Sequence, residues 1–75
     1  MNKAKRKELS RAYDMLESAA DIVRGVVFDE TICLDNMPEN LQSSQRYEDM
    51  ENAVSTLEEA VYKIEGAQSD IEELT

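Results

Sequence analysis

The sequence has no histidine and no tryptophan, and only one cysteine, one proline and two glycines in 75 residues. Each shortage removes a class of chemistry. Without histidine there is no imidazole base for a catalytic triad or dyad. Without histidine and with one cysteine, the usual structural zinc sites are excluded. Cys33 cannot close an internal disulfide, and with no histidine to activate it, it is expected as a small, reduced core residue. Gly25 and Gly66 stand too far apart to form a phosphate-cradling loop. No apolar run approaches the ~18–20 residues needed to span a bilayer. The basic start, Met1 to Arg11, is not expected to act as a signal peptide, because Asp14, Glu17 and Asp21 interrupt the apolar stretch that should follow. These exclusions lead to an expected non-enzymatic, soluble, cytoplasmic protein with no cofactor, no catalytic residue and no metal ligand.

What the chain has in excess is negative charge. Seventeen acidic residues face eight basic ones, for a formal net charge of −9. The distribution is uneven. Residues 1–11 hold five basic residues, Lys3, Lys5, Arg6, Lys7 and Arg11, against the single acidic Glu8. The remaining 64 residues hold three basic and sixteen acidic ones. A body of charge −13 repels a polyanion, so direct nucleic-acid binding through the basic start is not expected, nor is a membrane partner.

The apolar residues repeat every seven positions. In the second half they run Met50/Ala53/Val54, Leu57/Ala60/Val61, Ile64/Ala67/Gln68 and Ile71/Leu74. In the first half they run Leu9/Ala12/Tyr13, Leu16/Ala19/Ala20, Val23/Val26/Val27 and a broken Glu30/Cys33/Leu34. The only clear turn cluster is Asp35-Asn36-Met37-Pro38-Glu39-Asn40. Pro38 disfavours helical geometry at Met37, and Ser43 and Ser44 offer caps for a second helix. The expected fold is all-α: an antiparallel two-helix hairpin forming a single domain. Helix 1 is expected over about residues 3–34, the hinge over 35–43, and helix 2 over about 44–74. The recurring Ala12, Ala19, Ala53, Ala60 and Ala67 are expected in the seam, where small side chains let helix axes approach. The basic start is expected beside Glu65, Asp70, Glu72 and Glu73, each cluster sitting at the unfavourable end of its own helix dipole.

Three apolar positions per heptad suit a multi-helix bundle, whereas a two-stranded seam needs two. Met15 and Ile22 add a flank outside the main stripe of helix 1, and Phe28 and Ile32 add another near the hinge. Two hairpins related by two-fold symmetry are therefore expected to form a homodimeric four-helix bundle. Its interface is assigned to Met15, Ile22, Val23, Val26 and Phe28, with Met37 and Leu41 closing over Phe28 and Ile32.

Two further surfaces are candidates for recognition. Glu51, Glu58, Glu65 and Glu72 form a seven-spaced row on helix 2, ~10 Å apart, widened by Glu48, Glu59 and Glu73. The row reads as a solvated outer face, as a surface for a basic partner, or as a mimic of nucleic-acid phosphates. Its partner-binding residues are taken as Glu51, Glu58, Glu59 and Glu65. Asn36, Met37, Pro38 and Asn40 lie in the least repetitive segment and are the candidate recognition residues of the hinge. The same segment also reads as a capped turn. Glu30, the one carboxylate at an inward position, is expected to face Arg46 or solvent.

The hinge Asp35-Asn-Met-Pro-Glu-Asn-Leu-Gln-Ser-Ser44, followed by Arg46-Tyr47-Glu48-Asp49-Met50-Glu51, resembles small acidic proteins of phages and prophages of Firmicutes and gut bacteria. Those proteins share a basic start, a helix, an N-[LIM]-P-E-N-L-Q-x-S hinge and a second helix with repeated Leu-Glu-Glu-Ala. The resemblance covers most of the chain, and only the hinge is distinctive. It carries no activity and no functional residues. It implies a phage accessory protein in a bacterial host cytoplasm, modulating a host protein by protein–protein contact. The other readings are an acidic mimic blocking a nucleic-acid-binding or defence protein, a small-ligand (nucleotide) binder with pockets near the basic end, and a purely structural bundle.

Overall fold

Asn2 and Ser44 each start a helix by the same device. The Asn2 side-chain oxygen accepts a hydrogen bond from the Lys5 N–H at 2.8 Å, and the Ser44 hydroxyl accepts one from the Tyr47 N–H at 3.2 Å. Each satisfies a backbone donor that a helix N-terminus otherwise leaves free. In the computed structural model, which describes all 75 residues, the first helix, α1, runs Lys3–Asp35 and the second, α2, runs Gln45–Leu74. Both pass through their glycines without a break.

The helices stop and turn because of Pro38. Asn36 caps α1 with its N–H on the Ile32 carbonyl at 3.0 Å, and Met37 donates to Leu34 at 3.1 Å. Proline has no N–H to continue this ladder. Pro38 instead opens one turn of 3-10 helix, Glu39–Leu41, with the Leu41 N–H on its carbonyl at 2.9 Å. The Gln42 amide donates back to the Met37 carbonyl at 3.1 Å, and the Ser44 hydroxyl donates to Leu41 at 2.6 Å. The hinge is thus an ordered corner with its own hydrogen bonds.

The two helices pack antiparallel into a rod with Cα extents of 59 × 14 × 12 Å. The Gln68 amide meets the Tyr13 carbonyl at 3.4 Å and fixes the register. The seam residues of α1 are Leu9, Tyr13, Leu16, Ala20, Val23, Val27, Glu30 and Leu34. Those of α2 are Met50, Val54, Leu57, Val61, Ile64, Gln68 and Ile71. Their steps alternate between three and four residues, the seam of a two-stranded coiled coil. Ala20 alone has no exposed surface, and Leu34, Val54, Val61 and Gln68 complete the buried set.

This seam uses two of the three apolar positions in each heptad. The alanine row expected inside it lies along its edge. Ala12 and Ala60 are half-buried, and Ala19, Ala53 and Ala67 are exposed. Cys33 belongs to the same row and is exposed as well, not a core residue. The hinge end also differs from expectation. Leu34 is buried there, while Phe28 and Leu41 stay exposed, so no hinge residue closes over Phe28. Nor do the two chain ends neutralise one another. Thr75, the last residue, shares a cleft with Ser10 and Tyr13, so the first residues of α1 overhang the end of α2. Arg11 pairs with Glu8 of its own helix at 3.2 Å, and Lys3, Lys5, Arg6 and Lys7 form no ion pair.

Packing at the seam sets the cost of substitutions. Ala20→Leu forces a larger side chain into the tightest point of the seam and is expected to destabilise the fold by about 1–3 kcal/mol. Gly66 lies mid-helix with open space where a Cβ would stand. Gly66→Ala is expected to stabilise by about 0.5–1 kcal/mol, since alanine loses less backbone entropy on entering a helix. Thermal and urea unfolding of the two variants should therefore move in opposite directions.

Candidate interaction site

The seam divides the surface of the hairpin into two unlike sides. In α2 the residues just after the seam residues Met50, Leu57, Ile64 and Ile71 are Glu51, Glu58, Glu65 and Glu72. Those just before Val54, Val61 and Gln68 are Ala53, Ala60 and Ala67. In α1 the corresponding positions hold Glu17 and Arg24 on one flank, and Ala12, Ala19, Val26 and Cys33 on the other. In an antiparallel pair, like flanks share a side. One side of the rod is therefore charged and the other is small and apolar.

The charged side is organised by Arg24. Its guanidinium donates to Asp21 at 2.8 Å and to Glu17 at 3.3 Å, and reaches across to Glu65 of α2 at 3.9 Å. The buried Gln68 amide donates to the Glu17 carboxylate at 2.9 Å as well as to Tyr13. This hydrogen bond from Gln68, reinforced by the charge of Arg24, holds the Glu17 carboxyl below its ordinary pKa against the opposing effect of partial desolvation. Desolvation also works against the Arg24 charge, but the Asp21 hydrogen bond and the charges of Glu17 and Glu65 outweigh it, and its pKa rises. A polar residue buried in a coiled-coil seam fixes register at some cost in stability. Gln68 is the only polar residue in the buried set, and its partners lie on the opposite helix.

The expected acidic row is therefore a flank of the seam and not the far side of α2. Glu51, Glu58 and Glu72 are exposed and unpaired along it, and Glu65 is drawn towards Arg24. Glu59 lies off the row, toward the outer face, and pairs with Lys63 at 3.5 Å. Glu30 is half-buried at a seam position and forms no ion pair with Arg46.

On the apolar side, Met15 and Ile22 are 63% and 70% exposed, and Val26 is exposed beside them. Together with Ala12 and Ala19 they form a second line with steps of three and four residues, next to the first. Val23, expected in the same surface, is half-buried in the intrachain seam, because it takes the step between Ala20 and Val27. Phe28 is exposed but sits round the helix from this line, one turn before Ile32. At the hinge, Asn36, Pro38 and Asn40 are exposed and Met37 is half-buried. Asn36 and Pro38 hold the cap and the 3-10 turn, which accounts for both without a ligand.

Two open clefts mark the ends of the rod. One, of about 520 Å³, lies at the overhang among Met1, Ala4, Lys5 and Leu9, and the other, of about 430 Å³, lies at the hinge among Met37, Leu41, Ser44 and Arg46. No three acidic or cysteine side chains converge to hold a metal ion, and no helix is long and apolar enough to cross a membrane. No protein-family model, curated protein or solved structure matches the chain.

The Gln68–Glu17 contact was not foreseen, although a glutamine at an apolar step of the heptad was visible in the sequence. It has a measurable consequence. Because the Glu17 pKa is lowered by folding, its contribution is complete above the ordinary carboxylate range and is lost as pH falls through the depressed value. Gln68→Ala should return the Glu17 midpoint toward the ordinary value in a carboxyl NMR titration. Glu17→Gln should flatten the acid limb of the stability profile.

Proposed function

We propose that this chain acts by protein–protein interaction and not by catalysis, as a homodimeric four-helix bundle built from two hairpins. The observation that carries the proposal is the uncovered apolar side of α1, with Met15, Ile22 and Val26 exposed in one line. The total surface points the same way. The single chain exposes 5802 Å², about 1,100 Å² more than the roughly 4,700 Å² typical of a folded monomer of this 8.5 kDa mass. A standard interface removes about 800 Å² from each partner. One further contact would bring the surface into the ordinary range. The three-apolar heptad has the width that a four-helix bundle requires.

Dimerisation through the apolar side leaves the charged flank of α2 outward. Glu51, Glu58 and Glu72, unpaired and regularly spaced, then suit a basic protein partner, and imitation of nucleic-acid phosphates is a specific form of that reading. With the resemblance at the hinge, its most concrete version is a phage accessory protein that modulates a host protein in the bacterial cytoplasm.

Sedimentation equilibrium should give twice the 8.5 kDa chain mass, and Ile22→Lys should reduce it to the chain mass by placing a charge in the interface. A wild-type monomer at all concentrations would falsify the dimer. A partner recovered from host extract should dissociate steeply as salt rises and be lost on combining Glu51→Lys, Glu58→Lys and Glu72→Lys. A partner unaffected by both would leave the acidic flank as a solvated face.

A further inference from the structure

The apolar line on α1 has no counterpart on α2. Where α1 carries Met15 and Ile22, α2 carries Asp49, Thr56, Lys63 and Asp70 at the equivalent heptad position. An occupant of that line that is a second copy of this chain must therefore meet it with its own α1. From this, and resting on the dimer reading above, we infer that two copies pair α1 against α1 in antiparallel fashion, about a two-fold axis passing close to Ile22.

Side-chain size favours the antiparallel arrangement. About an axis between Ala19 and Ile22, each Ala19 lies opposite the partner's Ile22, and each Met15 opposite the partner's Val26. Large residues then meet small ones, as close packing requires.

Charge decides between the two directions. The overhanging start of α1 carries Lys3, Lys5, Arg6 and Lys7 with no ion-pair partner in its own chain. Its far end carries Asp29, Asp35 and, in the hinge, Glu39, which are likewise unpaired. α1 thus has no acidic residue in its first turn and no basic residue in its last, the reverse of what its dipole favours. A parallel pair would stack like charges at both ends. The antiparallel pair sets the basic start of each α1 beside the acidic end of the other. It also brings the cleft at Met1, Ala4 and Leu9 level with the partner's hinge cleft at Met37 and Leu41, both of which are open in the single chain.

Short bismaleimide cross-linking, run beside sedimentation equilibrium, tests the pairing with full-length chains. Ile22→Cys in a Cys33→Ala background places one thiol per chain near the axis, and Ala19→Cys in the same background does so independently. Both are expected to give near-complete covalent dimers. The wild-type chain, whose Cys33 is expected about 35 Å from the partner's Cys33 across such an axis, should give none. Dimers by mass in which wild-type Cys33 cross-links would show a parallel pair and overturn the inference. Dimers by mass in which neither variant cross-links would also overturn it, while leaving the dimer itself standing. A monomer by mass would remove both.

Discussion

Everything in this molecule follows from a mismatch of widths. Each helix carries an apolar stripe three residues wide per heptad, and one neighbouring helix covers only two of the three. The hairpin closes over Leu16, Ala20, Val23 and Val27 on one side and Val54, Leu57, Val61 and Ile64 on the other. Ala19, Val26, Ala53 and Ala67 are left at the margin. A rod with a single covered line and five buried residues has little interior. Its stability is that of one coiled-coil seam, and its largest reserve of burial is the surface that the hairpin does not use.

The polar side of the rod has a different task. Gln68 gives up hydrophobic contact in the seam, and in return its amide holds Tyr13 and Glu17 at one height. Arg24 extends that link to Glu65. An antiparallel pair of uniform heptads can slide by seven residues and still match apolar to apolar. A buried hydrogen bond between helices breaks that degeneracy, because any other register leaves the amide unsatisfied. Register in turn determines the overhang at the start of α1 and the exposure of its basic residues.

The expectations failed where flank and seam had to be told apart. The sequence shows which residues recur every seven positions, and it shows Pro38 and Ser44 as punctuation. It does not show which two of three apolar positions face the nearer helix. Ala12/Tyr13 and Ala53/Val54 are adjacent in the chain, and both members of each pair fit the period. The seam takes the larger member because Tyr13 and Val54 remove more apolar area from water than alanine does. The alanines, Cys33 and the acidic row were accordingly misplaced by one step around the helix. The pairing of charged ends failed for a related reason. It assumed helices flush at the open end, and the Gln68 register displaces them.

By itself the sequence determined an all-helical chain of two long helices with one corner. Periodicity, caps and a single proline are local signals, and local geometry is enough to realise them. It also determined the charge imbalance and the surplus of apolar positions, since both are matters of composition and spacing. Only the tertiary structure decided which of those positions are covered. Burial depends on the rotation and sliding of one helix against another, and a few contacts between residues more than fifty positions apart, Gln68 with Tyr13 and Glu17, set both.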